Sequence, residues 1–293
     1  MIPVILFVYN RPEHLTRVLK CLKENNIPKL YIYSDGAKTP KQEPAVRAVR
    51  NIIRGIDWCE TVIIEREVNR GLGQSILTGV SEIFETEEMA IVVEDDLVCV
   101  PGTYQYLCAA LEQYKDNLKV MSVTGWTHPL VTPPNVYTKP YFDGRAECWI
   151  WGTWKRAWTG MLDHDACSLI KVCKEERIDP MEYGYDLPEM AAVEIKANIW
   201  AVRFLYWHIV NKGLCMRPPW SMVDHTGDDK HGTNIKGELW TKCANIYPAP
   251  LIPKEWPEPV ENRRCAELHR NSSMINIGLL RKVTRWLRYG YRQ

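Results

Sequence analysis

Residues 89–97 read Met89-Ala90-Ile91-Val92-Val93-Glu94-Asp95-Asp96-Leu97, an apolar run that releases three consecutive acids. A short continuous apolar run is the pattern of a strand buried on both faces, so its polar end lies at the carboxyl edge of a sheet, where open α/β folds gather their ligands. Adjacent carboxylates at such an edge call for a cation. Hard oxygen donors suit Mg²⁺ or Mn²⁺, which keeps part of its water shell and takes one or two carboxylates together with substrate phosphates. A diphosphate-bearing substrate is therefore the implied partner. The alternative is that Glu94-Asp95-Asp96 is a solvated acidic turn.

Outward from this strand the same pattern recurs. Ile2 to Tyr9 is almost wholly apolar and ends in Asn10-Arg11-Pro12, after which Leu15, Val18, Leu19 and Leu22 mark a helix opened by proline. Leu30 to Ser34 precedes Asp35-Gly36, and Val62 to Ile64 precedes Asn69-Arg70-Gly71-Leu72-Gly73. Helical stretches near 40–54, 71–85 and 102–116 fill the gaps. The order is βαβαβαβ, which predicts a doubly wound, mostly parallel sheet.

Beyond a fifth strand expected at Lys119–Thr124, a Pro- and Trp-rich stretch (Trp126, Pro129, Pro133, Pro134, Pro140, Trp149, Trp151, Trp154, Trp158) opens a second half. Helices near 151–163 and 188–212 and a loop at 217–234 are expected there, with Trp154 and Trp158 as core residues of the first helix. Aromatic faces also stack on sugar rings. Of Trp126, Trp149 and Trp151, the last is assigned to function and the other two to packing. Residues 245–262 read as a Pro-punctuated extended linker.

Composition narrows the class. A chain of 293 residues, 46% hydrophobic, buries a sizeable core. No run approaches the roughly 20 apolar residues of a membrane span, and the N-terminus has no signal-peptide pattern, so a cytoplasmic protein is expected. The ten cysteines show neither CxxC pairs nor zinc spacing and read as reduced, mostly buried thiols, although their even number also admits a secreted disulfide framework. The histidines show no ligand spacing, and His14 is expected on a helix surface. The net charge is +1, yet six Lys or Arg and no acid follow Leu268, leaving five net negative charges on the remainder. That argues against nucleic-acid binding by the body and singles out the tail. In residues 275–292, Leu279, Leu280, Val283, Trp286 and Leu287 share one helical face while Arg281, Lys282, Arg285, Arg288 and Arg292 supply positive charge. This is the pattern of an interfacial helix on anionic lipid, on the inner face of the cytoplasmic membrane; docking on the protein's own surface is the alternative.

Several segments, in order over residues 1–235, resemble GT-A glycosyltransferases, specifically bacterial polysaccharide sugar transferases similar to animal N-acetylglucosaminyltransferase I. They are PVILFVYNRPEHLTRVLKCL, YSDG, NRGLGQSILTGV, VVEDDLVCVPGTYQYL, CWIWGTWKRAW, NIWAVRF and NKGLCMRPPWSMVDHTGDDKHGTN. The resemblance implies a GT-A α/β fold with residues 1–125 as nucleotide-sugar half, 126–245 as acceptor half, and 246–293 as linker and helical tail. It further implies a UDP-sugar donor, a divalent metal (Mn²⁺ or Mg²⁺) and transfer with inversion. The product would be a surface polysaccharide, such as lipopolysaccharide or capsule, or its lipid-linked precursor. Within that pattern Asp96 meets the metal, Asp95 lies near ribose and sugar, Glu94 holds the sugar, Arg11 contacts uridine and Asp35 reads uracil. Tyr9, Arg70, Gly71, Trp151 and Lys230 complete the donor side.

A leaving sugar diphosphate develops charge, and the loop Gly227-Asp228-Asp229-Lys230-His231-Gly232 reads as a lid over it or as a polar turn. Inversion also needs a general base. Relatives carry an aspartate where this chain has Asn198, which cannot serve. The role passes to Glu194, one helical turn earlier, or to Asp224 or Asp229; otherwise the chain is a catalytically degenerate carbohydrate-binding relative. A nucleotidyltransferase acting on sugar phosphates is a further alternative, against which stands Asn10-Arg11-Pro12-Glu13 in place of a Gly-rich loop.

Overall fold

A computed structural model describes residues 1–131, 139–197, 199–227, 246, 250 and 252–272. The elements, in chain order, are β1 (Val4–Val8), α1 (Pro12–Glu24), β2 (Lys29–Ser34), α2 (Glu43–Arg54), β3 (Glu60–Glu65), α3 (Leu72–Ile83), β4 (Met89–Glu94), β5 (Leu97–Cys99), α4 (Thr103–Gln113) and β6 (Val120–Thr124). There follow β7 (Tyr141–Asp143), β8 (Trp151–Trp154), α5 (Lys155–Trp158), α6 (Ala166–Glu175), α7 (Leu187–Ala197), α8 (Trp200–Val210), β9 (Leu214–Arg217), β10 (Val223–His225) and α9 (Arg263–Ser272).

Eight strands form one sheet in the order β3-β2-β1-β4-β8-β6-β9-β7. Strands β1 to β4 are mutually parallel, β6 and β9 run with them, and only β8 and β7 run against. The apolar runs behave as their composition demands: all five residues of β1 are buried, because helices cover both faces of the sheet. One face packs Leu15, Val18 and Leu22 of α1 and Leu107 and Leu111 of α4. The other packs Ile76 and Val80 of α3 with Trp200, Phe204 and Ile209 of α8. The chain leaves β1 toward β2 and β3, then returns to place β4 on β1's opposite side, so a topological switch point falls between the carboxyl ends of β1 and β4.

The expected helices at 40–54, 71–85 and 102–116 are α2, α3 and α4, each a few residues shorter. The expected helix at 151–163 is not one. Trp151-Gly152-Thr153-Trp154 is strand β8, wedged between β4 and β6, and only Lys155–Trp158 is α-helical, with a single 3-10 turn at Met161–Asp163. Tertiary pairing outweighs the helical spacing because four consecutive buried residues serve two core faces at once. Trp154 lies in one core and Trp158 in the other. The expected helix 188–212 is broken into α7 and α8. The strand expected fifth is the sixth, since the three-residue β5 follows the acids and pairs antiparallel with β10.

The segment read as an extended linker is packed where it is described. Trp256 meets the rings of Tyr106 and Tyr114 at 5.5 and 6.0 Å, and Tyr114 Oη donates to the Pro257 carbonyl. It leads into α9, which seats Cys265 against Val131 and Tyr141. Below it lies a buried ionic network: Arg217, with no exposed side-chain surface, donates to Asp143 at 2.7 Å and pairs with Glu147 at 3.4 Å, and His269 of α9 stands 3.2 Å from Asp143. No described helix is long and apolar enough to cross a membrane. The amphipathic segment 275–292 lies outside the described residues.

Candidate functional site

The acidic turn stands at the switch point. The Tyr9 amide at the end of β1 donates to Asp95 Oδ2 at 3.0 Å, joining the two carboxyl ends directly. Arg11 Nη1, one residue before α1, pairs with Asp96 Oδ2 at 3.0 Å. From the far end of the chain, Thr226 donates its amide and hydroxyl to the Asp96 carbonyl at 2.8 and 3.0 Å, and His225 Nε2 lies 3.6 Å from Asp96 Oδ2. The ring of His14 meets the Thr226 carbonyl at 3.0 Å; His14 is buried, which corrects its expected place on a helix surface. Gly227 packs so closely on Asp96 that an added Cβ would overlap the carboxylate.

The electrostatics are those of crowded acids. Burial, then Asp96, pushes Asp95 up to about 7, and burial followed by its two neighbours raises Glu94 well above the usual carboxylate range. Glu94 turns to the side of Cys148, whose thiol is raised by burial, Glu147 and Glu94. Burial is the larger cause of both shifts; the neighbouring acids add a smaller, like-charge share that a nearby cation would relieve. Among the described residues no three His, Cys, Asp or Glu side chains form a metal cage. His225 lies 3.6 Å from the same Asp96 oxygen that pairs with Arg11, and one carboxylate completed by diphosphate oxygens and water is a usual holding of Mg²⁺ or Mn²⁺.

Asp35, at the end of β2, anchors the neighbouring loop. Its carboxylate accepts from the amides of Gly36, Arg70 and Gly71 and from the Asn69 side chain, at 2.9 to 3.1 Å. Those bonds fill its acceptor positions. Asp35 thereby pins the 69–71 loop and leaves the exposed Arg70 side chain projecting from a fixed backbone. Gly36 is required there, because a Cβ would strike the backbone of Glu67 to Asn69. Tyr9 Oη links this edge to Gln42 and the Lys38 amide.

Trp151 is placed in the core and not in the site. It is fully buried and stacks with Trp158 and Trp200 at 5.9 and 5.4 Å. Trp149, assigned to packing by sequence, is half-buried and stacks on His225 at 5.0 Å and 20°, with Trp126 beside it at 5.1 Å. Ile150, between the two tryptophans, has φ of 44°. A β-branched residue in that region is strained, and the twist turns Trp149 toward the site and Trp151 into the opposite core.

Of the positions considered for the base, Asn198 and Asp229 lie outside the described residues, as does Lys230. Asp224 accepts from the His225 amide within β10. Glu194 is buried on α7, not an exposed helix carboxylate, and burial raises its proton affinity while Arg203 opposes.

Sheet order and switch-point acids define a Rossmann-like, doubly wound α/β fold. No family model and no curated protein matches the sequence. Among solved structures, the chain is similar to the mannosyltransferase PcManGT from Pyrobaculum calidifontis in complex with GDP-Man and Mn²⁺, at 15% identity over 52% of this chain and 44% of that one, TM-score 0.37. It is similar also to S. aureus TarS 1–349, at 13% identity over 77% of this chain and 60% of that one, TM-score 0.42. An apo UDP-glucose pyrophosphorylase aligns at 13% identity over 75% of this chain and 91% of that one, TM-score 0.37. The chain thus spans less than two thirds of either transferase.

Proposed function

We propose that this protein is a metal-dependent glycosyltransferase that takes a UDP-hexose or UDP-N-acetylhexosamine and transfers the sugar with inversion to a surface polysaccharide or lipid-linked glycan. The observation that carries this reading is the convergence of Tyr9, Arg11, His225 and Thr226 on the acidic turn at the switch point. Asp96, with His225 beside it, would hold Mn²⁺ or Mg²⁺, which would supply Lewis-acid neutralisation of the leaving diphosphate. Arg11 adds a fixed positive charge at the same edge, and Arg70 reaches the nucleotide from the loop pinned by Asp35. Trp149 offers an aromatic face to a sugar ring. Glu194 takes the acceptor proton, its raised affinity suiting a base. Residues 1–125 serve mainly the donor and 126–245 mainly the acceptor, with His225 and Thr226 reaching back to the donor edge, while the tail beyond 246 brings the enzyme to an anionic membrane face.

Only Tyr9, Asn10 and Arg11 separate β1 from α1, a connection without the Gly-rich loop of a nucleotidyltransferase, which counts against that alternative. Titration calorimetry with UDP-, GDP- and dTDP-sugars, with and without Mn²⁺, tests the reading. Metal-dependent binding of a UDP-sugar, with slow hydrolysis when no acceptor is present, supports it; no binding of any nucleotide sugar refutes it. Glu194→Gln should then abolish transfer while leaving donor binding intact.

A further inference from the structure

Behind the acidic turn, α1 and β5 bring two thiols together. Cys21, buried on α1, and Cys99, half-buried at the end of β5, have their sulfurs 3.7 Å apart, and the Cys99 amide donates to Cys21 Sγ at 3.3 Å. Among the described residues no other two cysteine sulfurs meet at hydrogen-bonding distance. Asn25 clamps the pair: its buried side chain donates to the Cys21 carbonyl at 2.8 Å, to the Val100 carbonyl at 3.1 Å and toward Cys99 Sγ at 3.5 Å, and accepts from the Tyr104 amide at 3.1 Å. The two sulfurs are therefore held in mutual contact by backbone fixed on both sides.

We propose that Cys21 and Cys99 form a redox-modification site, converted by a hydroperoxide into a reversible disulfide that ties α1 to β5. With the Cys99 thiol and amide both donating to its sulfur, Cys21 is the member whose thiolate is favoured and is the nucleophile. It attacks the peroxide O–O bond, giving the sulfenic acid and releasing the other oxygen as water or alcohol. Cys99 sulfur then attacks the sulfenic sulfur, the S–O bond breaks, and a second water leaves. The two thiols are oxidised by two electrons and the peroxide is reduced by two.

The location gives the modification a consequence. Closing from 3.7 Å to the S–S bond length of about 2.0 Å must be absorbed by α1, which carries His14 and follows Arg11, or by β5, which follows Asp96 and pairs with the strand of His225. A displacement near 1 Å in a positioned site costs up to about a hundredfold in function. This consequence, unlike the disulfide, rests on the proposed donor site.

The test treats the full-length protein with hydrogen peroxide under native conditions, blocks remaining thiols and maps peptides. A dithiothreitol-reversible peptide joining Cys21 to Cys99 is expected, and in Cys99→Ser a sulfenic acid at Cys21 should be trapped by dimedone. Finding both residues still fully alkylated after oxidation of the exposed Cys167, or Cys21 joined to a different cysteine, would overturn the proposal. The wild-type map does not depend on any variant folding. UDP-sugar affinity in Mn²⁺ should fall about tenfold or more on oxidation and return on reduction; a crosslink with unchanged affinity would overturn the coupling, while a crosslink in a protein that binds no nucleotide sugar in either state would fault only the functional reading.

Discussion

Replacing Gly227 by alanine asks whether the carboxylate of Asp96 is the positioned group of the site. A Cβ on Gly227 would overlap Asp96 Oδ2 and lie only 2.9 Å from Asp96 Cγ and 3.0 Å from Arg11 Nη1. Ordinary carbon contacts need about 3.5 Å or more, so the carboxylate must retreat by on the order of 1 Å or swing away from Arg11. Gly227 is not among the glycines at positive φ, so the substitution adds no backbone strain. Displacement on that scale predicts a loss of about a hundredfold, or about 2.7 kcal/mol, in metal-dependent UDP-sugar affinity, with thermal stability within about 1 kcal/mol of wild type. The assay is calorimetric titration at saturating Mn²⁺ beside a thermal melt. Asp96→Ala should produce a similar loss, and the double variant should lose little more than either alone, because both changes remove one interaction. Wild-type affinity in Gly227→Ala, or additive losses in the double variant, would refute the placement of Asp96 in the donor site.

Three further outcomes follow from the packing. Arg217→Leu strands the buried Asp143 carboxylate and should cost about 3–5 kcal/mol in urea unfolding, far more than an exposed pair such as Lys171–Glu175 would; a loss below about 1 kcal/mol would contradict the network. His208, buried against Ser122, is held neutral down to about 4 by desolvation while the unfolded chain takes up its proton near 6.5. Unfolding therefore binds a proton between those values, so stability should fall by about 2–3 kcal/mol from this group as the pH drops from 6.5 to 4. His208→Leu should remove that share of the acid sensitivity, and an unchanged slope would count against it. Trp151→Ala should destabilise by about 3–5 kcal/mol, whereas Trp149→Ala should change stability little and weaken sugar binding instead; the reverse ranking would invert the two assignments.

What lies along the chain was readable from it. The apolar runs of β1, β2 and β4, the amphipathic spacing of α1 and the proline that opens it, and the acids that close β4 depend on near neighbours and on strand and helix periods, and the sheet's first half follows from them. The second half did not yield to the same reasoning. Trp154 and Trp158 carry a helix-like spacing, yet pairing with β4 and β6 makes Trp151 to Trp154 a strand, because a gap in the sheet is a long-range condition that local periodicity does not encode. The site divides in the same way. Asp96 and Arg11 stand at strand ends that the sequence marks, while His225 and Thr226 reach Asp96 across about 130 residues and show no ligand spacing. Asp35 was visible as a strand-end acid, but only the folded 69–71 loop, whose amides fill its acceptors, decides that it anchors backbone. Residue types and periods determine which side chains have chemistry to offer; the tertiary structure decides which of them meet, since contact depends on the packing of elements far apart in the chain.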